Sequence, residues 1–217
     1  MPTSAPTAPV AGQAAAPLRL SLVQQAVKKK TRLSADKGAT VAVATATVYL
    51  LGKVVDGAQS AALADGKQKI LPRYISRAIT GDTDLRAVGA NWLVQVVPPP
   101  RLPSAGTKTG SAGKKVKNGG DSAADSAHEY GSAVRQVVKA RKLQISSNAA
   151  DALSGIASAY VDELAGLAGE LAQQADRKTV TGEDVLGATG ILLRGGLKTE
   201  TDTRIKDALR QQVPAKA

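Results

Sequence analysis

The sequence predicts an all-α protein built from two tandem units, each a long helix flanked by shorter ones. Three observations carry that expectation. Two long runs hold apolar residues at alternating spacings of three and four, a low-complexity stretch rich in Gly, Ser, Ala and Lys separates them, and shorter helical patterns with start and stop signals flank both.

In the first unit a short helix is expected from about Leu18 to Lys30, closed by Lys28, Lys29 and Lys30 as the helix macrodipole favours. Val41, Ala44, Val48, Leu51, Val55, Ala58 and Ala62 then draw one apolar seam along a long helix that ends at Asp65-Gly66-Lys67. A short extended stretch, Gln68 to Leu71, follows, and Pro72 sits where the first turn of the next helix tolerates it. The second unit repeats the plan. A helix from roughly Glu129 to Arg141 precedes the cap candidates Ser146, Ser147 and Asn148, and a second seam runs through Leu153, Ile156, Tyr160, Leu164, Leu167 and Leu171. Thr179-Val180-Thr181 with Glu183 and Asp184 opens a third helix to Leu193, and one more is expected from about Leu197 to Arg210. A long amphipathic helix between two short ones cannot bury its own stripe, so each unit needs a partner of the same shape, and the two can serve each other.

Composition narrows the chemistry. Of 217 residues 43% are hydrophobic, but only 2% are aromatic and none is Phe, so the core must be aliphatic and alanine-rich. The absence of Cys and a single His, His128, leave no thiol nucleophile, disulfide, cysteine-zinc site or His-based metal cluster, and no metal or cofactor is expected. No nucleophile, base and orienter assemble around His128, and the string Gly106 to Lys115 lacks the glycine and hydroxyl that a phosphate-binding loop requires. Neither an enzyme nor a small-molecule site is therefore expected. No apolar run is read as approaching the ~20 residues of a membrane span, and the first seventeen residues carry no leader pattern, so the protein is expected to be soluble and unsecreted. Residues 1–17 read as a tail, as do 212–217, and 101–127, after Pro98-Pro99-Pro100, read as a flexible linker spanning roughly 25 to 30 Å.

The net charge is +11 and the pI 9.9, which point to a polyanionic partner, because clustered Lys and Arg release counterions when they neutralise phosphates. Residues 1–110 carry 14 basic and 5 acidic groups, residues 111–217 carry 15 and 13, so most of the excess lies in the first half.

Two local strings bear a family resemblance. Lys69-Ile70-Leu71-Pro72-Arg73-Tyr74, followed by Ala78-Ile79 and Gly81-Asp82-Thr83-Asp84-Leu85, resembles the second loop and third helix of core histone 2A. Ile145-Ser146-Ser147 and, later, Arg177-Lys178-Thr179-Val180-Thr181 resemble the two loops of histone 2B. The resemblance covers residues 18–100 as a 2A-like fold with a docking segment and 128–211 as a 2B-like fold with an extra C-terminal helix. Fused in this way, the pair is similar to the histone doublets of large DNA viruses.

The resemblance implies two tandem histone folds pairing head to tail in an intramolecular handshake, each first loop beside the other half's second loop. One platform would then join Thr31, Arg32 and Lys37 to Arg177, Lys178 and Thr179, and the other Lys67 and Lys69 to Lys142, Ser146 and Ser147. Arg19 and Lys28, Lys29 and Lys30 would add contacts along the first short helix. The implied function is sequence-independent binding and wrapping of double-stranded DNA in nucleosome-like particles, with a histone 3/4-type partner and a second copy of the chain. That places the protein on chromatin, in a nucleus, viral factory or virion. An interaction module of a transcription complex that does not wrap DNA is the alternative. Asp56, Asp82 and Asp84 would be the remnant of the acidic face of histone 2A, whereas Val48, Lys53, Thr83, Gly196 and Arg204 stand where acids are expected. Trp92, Val94 and Val96 fall in the segment that would dock on the partner.

Overall fold

A computed structural model describes residues 18–89, 92 and 130–212. The tail 1–17, Val94, Val96, the linker 101–127, His128 and the last five residues lie outside them.

In the first repeat, α1 spans Leu20–Thr31, β1 Ser34–Ala35, α2 Lys37–Ala64, β2 Lys69–Ile70, α3 Pro72–Gly81 and α4 Thr83–Gly89. In the second, α5 spans Gly131–Ala140, β3 Gln144–Ile145, α6 Ser147–Gln174, β4 Thr179–Val180, α7 Gly182–Leu192 and α8 Gly195–Gln212. Both expected long helices form and both are 28 residues long. In the first repeat the third helix ends at Gly81, and a separate short helix starts just beyond Asp82. The backbone there is extended, and the Asp82 carboxylate accepts hydrogen bonds from the Asp84 and Leu85 N–H groups, starting α4 as a new helix.

The chain packs as two compact units, one drawn from Met1–Lys53 and Tyr160–Ala217, the other from Val54–Ala159. These units do not coincide with the two repeats. Each takes a first loop from one repeat and a second loop from the other, and the two long helices each give one end to either unit, as repeats that cannot bury their own seams require.

In the unit of 1–53 and 160–217 the core holds Val23, Val27, Val41, Leu50, Leu51, Tyr160, Val161, Leu164, Val180 and Ile205 among many alanines. Residues 39–47 of α2 are buried all round, wider than the single seam its periodicity predicts. Lys37–Ala64 is in fact long and apolar enough to cross a membrane, with a mean hydropathy of 1.5, which corrects the expectation that no run approaches that limit. Yet 78% of that window is buried against protein, so its apolarity is that of a core helix. The buried hydroxyl of Thr47 is satisfied locally by donating to the Val43 carbonyl at 2.8 Å. Small residues set the helix spacing. A Cβ on Gly169 of α6 would collide with Thr31 Cγ2, so α1 ends in contact with the α6 backbone. On α8, Leu209 lies 3.3 Å from the Cβ position of Gly38 and 3.0 Å from that of Gly182, which closes α8 over the starts of α2 and α7. Thr189 of α7 donates to Asp202 of α8 at 2.7 Å, tying the two helices, and Lys198 donates to the same carboxylate at 2.7 Å from within α8.

In the unit of 54–159 the core is formed by Val54, Val55, Ile70, Tyr74, Ile75, Ile79, Leu85, Trp92, Val134, Val138, Leu153 and Ile156. Trp92 is fully buried, with its ring 3.0 Å from the Cβ position of Gly89 on α4.

The spacing argument yields a paired test. Gly169→Ala should destabilise the protein by about 1 to 3 kcal/mol through overpacking against Thr31, whereas Gly166→Ala, whose Cβ meets nothing closer than Lys30 Cε at 3.5 Å, should be neutral or slightly stabilising. Chemical denaturation of both variants checks the difference.

Candidate nucleic-acid interface

Cations reach the surface on two loop platforms and one helix end. The first platform is built on β1 and β4, which run parallel with Ser34 opposite Thr179 and Ala35 opposite Val180. Ser34 N–H donates to the Lys178 carbonyl at 3.3 Å and Asp36 N–H to the Val180 carbonyl at 3.0 Å. This bridge brings Thr31, Arg32 and Lys37 together with Arg177, Lys178 and Thr179, as the resemblance implies. Thr31 ends α1 by donating to the Val27 carbonyl while accepting from Leu33 N–H, and Arg32 then turns the chain in the left-handed region at φ 58°. Asp36 caps α2 by accepting from Ala39 N–H. Arg32, Lys37 and Lys178 are left exposed.

Arg177 is different. Its guanidinium donates to the nearly buried Asp184 carboxylate and, at 3.0 Å, to Thr181 Oγ1. Asp184 also accepts from Thr181 N–H at 2.8 Å and closes a capping box at the start of α7. Arg177 thus holds the second loop in shape and offers phosphate only the part of its fork that stays outside this pair. The Thr181-x-x-Asp184 spacing was legible as a helix start, but nothing local indicated the ion pair.

The second platform is built on β2 and β3, also parallel, with Lys69 opposite Gln144 and Ile70 opposite Ile145. Ser146 N–H donates to the Ile70 carbonyl at 3.0 Å, and Ser146 Oγ accepts from Ala149 N–H at 3.2 Å, which makes Ser146 the cap of α6 and Ser147 its first residue. Gly66 and Lys142 turn the two loops at φ 65° and 55°. Lys67, Lys69, Lys142 and Ser147 are exposed here, and Lys67 and Lys142 border an open hollow of about 230 Å³ that also touches Gln59, Leu63 and Gln144. Along α1, Arg19, Lys28, Lys29 and Lys30 are all exposed.

The acidic remnant is largely engaged. Asp56 takes Arg141 through Nε at 2.6 Å and Nη2 at 3.5 Å, and Asp82 is the cap of α4, with Asp84 in that helix's first turn. Arg141, which sequence reasoning passed over, is therefore the counter-ion of Asp56 across 85 residues of chain. On the other unit Arg204 stacks 4.7 Å from the Tyr49 ring centroid and Lys53 lies 5.9 Å from it, so cations cover that ring. Of the expected docking residues, Trp92 is enclosed in the core, and Val94 and Val96 fall outside the described residues.

Two carboxyls of α6 have raised pKa values. Burial pushes Asp162 and Glu163 up, while Lys30 acts on both, and Lys29 on Asp162, in the opposite direction. Asp65, by contrast, is held below its ordinary value by the Arg77 guanidinium that donates to it at 3.0 Å.

Comparison with known proteins agrees with this geometry. Residues 132–188 match the family model described as histone-like transcription factor (CBF/NF-Y) and archaeal histone. The chain is 40% identical over 78 residues to histone 2A of Encephalitozoon cuniculi, which is 36% of this chain and 61% of that protein. Over a different region it is 36% identical across 75 residues to histone 2B of the same organism, covering 35% of this chain and 58% of the relative. The chain thus spans about three fifths of each curated relative. Among solved structures, the histone from Methanopyrus kandleri superposes with a TM-score of 0.50 at 20% identity, over 83% of this chain and 99% of that one, a likeness of fold.

Two outcomes follow from the site. Asp184→Ala, which removes both the capping box and the counter-ion of Arg177, should cost about 2 kcal/mol in chemical denaturation. Because Asp162 and Glu163 hold their protons more tightly folded than unfolded, their contribution to stability is present at low pH and lost as pH rises from the ordinary carboxyl value through the raised one. Thermal unfolding between about pH 4 and pH 7 should show that decline reduced in an Asp162→Asn, Glu163→Gln double variant.

Proposed function

We propose that this chain, which fuses a histone 2A-like fold to a histone 2B-like fold, is a structural constituent of chromatin that binds and wraps double-stranded DNA without regard to sequence. The observation that carries the reading is that both loop platforms, not one, expose cations on a rigid bridge: Arg32, Lys37 and Lys178 on the first, Lys67, Lys69 and Lys142 on the second. Phosphate is then held at two places by charge and by backbone amides at helix starts, neither of which reads base identity. Arg19 and the lysines closing α1 add further contacts. With about 147 bp shared by four pairs in a nucleosome, one chain would hold on the order of 30 bp, and preference among sequences would come from the ease of bending.

In this reading the chain assembles with a histone 3/4-type partner and with a second copy of itself. An exposed isoleucine on the unit of 1–53 and 160–217 is compatible with a partner there. Ile191 is 57% exposed, one turn beyond Gly187, whose Cβ position lies 2.8 Å from the half-buried Leu171. The match of residues 132–188 to a family whose description includes transcription factors supports a second reading, a histone-fold module that pairs without wrapping DNA. Cations on both platforms favour the first.

Nuclease digestion of DNA reconstituted with the protein, with and without a histone 3/4-type partner, distinguishes them. Discrete protection of roughly 120 to 150 bp that depends on the partner is the expected result. Diffuse protection in both samples would instead indicate a general DNA coat, and no protection would favour the non-wrapping module.

A further inference from the structure

The apolar row of α8 runs through Leu197, Thr201, Ile205 and Leu209, each four residues from the last and so stacked along one face. The first three are buried, and Leu209, half-buried, reaches past them to the first platform. Its Cδ2 is 3.3 Å from the Cβ position of Gly38, and both of its methyl carbons are 3.0 Å from that of Gly182. The two glycines also meet each other, since the Cβ position of Gly182 lies 3.5 Å from the Gly38 carbonyl carbon. The starts of α2 and α7 thus touch backbone to backbone just beyond the Asp36–Val180 hydrogen bond, and the leucine tip fills the space that the two glycines leave.

We propose that Leu209 is a positioning residue for the first platform: it fixes the distance between the starts of α2 and α7, and with it the spacing at which Lys37 and Lys178 meet phosphate. The bridge of β1 and β4 is two residues long on either side, too short to hold that distance rigid beyond its own hydrogen bonds. Lys37 and Lys178 both lie outside it, one as the first residue of α2 and the other just before β4. A wedge anchored on a third helix constrains both helix starts at once. That helix is itself tied to α7 by the hydrogen bond from Thr189 to Asp202 and held down by the buried part of its row. Thus α8 belongs to the frame of the first platform while giving it none of the cations named above. Alanine at 209 would uncover the glycine pair and let the helix starts shift, and cations without a fixed spacing must be ordered as they bind, which subtracts from affinity.

This inference rests on the DNA-binding reading, and its test separates the two. Acetylation of each lysine in the full chain would be followed by peptide mass spectrometry, free and bound to a mixed-sequence duplex of about 40 bp, with affinity read by fluorescence anisotropy between about 50 and 200 mM salt. In the parent, DNA should protect Lys37 and Lys178 as well as Lys67, Lys69 and Lys142. In Leu209→Ala protection should fall at Lys37 and Lys178 alone, with affinity several-fold weaker and the log-log salt slope shallower by roughly one to two, as for one or two lost phosphate contacts. Leu209→Met, which refills the seat with a flexible thioether, should behave as the parent does. Adding Gly182→Ala to Leu209→Ala should recover part of the protection, because the new Cβ meets the Gly38 backbone at ordinary contact distance and spaces the helix starts without the leucine. A leucine acting only through general stability would not give that selective loss and recovery. Should Leu209→Ala fail to fold, Leu209→Val, whose methyl groups end one bond short of the glycines, carries the same comparison. Protection lost equally at all of these lysines, no change on truncation, or no recovery in the double variant would overturn the positioning role and leave DNA binding standing. A parent that does not bind the duplex would overturn the DNA reading and the positioning role together.

Discussion

Two short parallel bridges, β1 with β4 and β2 with β3, join each first loop to the second loop of the other repeat, and much else depends on them. Each is only two residues long on either side, so its hydrogen bonds alone contribute little. Their importance is positional. They bring two loops with different sequence neighbours into fixed register, and each loop is then locked from its own side by a cap or a left-handed turn: Asp36, Ser146, Thr181, Arg32, Gly66 and Lys142. Cations presented on such a frame lose little further freedom when they meet phosphate, which is how a rigid scaffold turns surface charge into a binding site.

The same frame sorts the basic residues by availability. Arg177 and Arg141 are engaged by Asp184 and Asp56, and these pairs hold loop and helix ends in place. Lysines carry most of the exposed charge on the platforms, and a lysine is a mobile, strongly hydrated point charge where an arginine would offer a planar fork. On the DNA-binding reading proposed above, such a surface would favour contacts that tolerate small shifts of a duplex, in keeping with recognition of backbone charge over base edges. Core and surface share this economy, since an alanine-rich interior lets backbones approach closely while burying less area per side chain.

Much of this was legible before any coordinates. The two seams, the extended stretch before Pro72, the Ser146 and Thr181 caps and the cations of both loops are local patterns, each set by residues within one or two turns of one another. What escaped the sequence involves residues brought together from a distance or decided by packing. Asp56 and Arg141 are 85 residues apart. The burial of α2 on every side over residues 39–47 reflects neighbours contributed by other helices, and its own periodicity predicts only one stripe. Asp82 shows the reverse case, a residue whose role as a cap is local in sequence and was decided only when its carboxylate accepted from the Asp84 and Leu85 N–H groups.

The amino-acid sequence by itself determined that the chain is helical, duplicated, basic and poor in aromatics, because helix periodicity, caps and net charge are properties of neighbouring residues and of composition. Only the tertiary structure decided which loop meets which, which arginines are held by carboxylates, and that Lys30 lies along the glycine face of α6. Those outcomes depend on close approach between segments far apart in the chain, where a missing Cβ or one buried carboxylate selects the contact, and no local pattern encodes them.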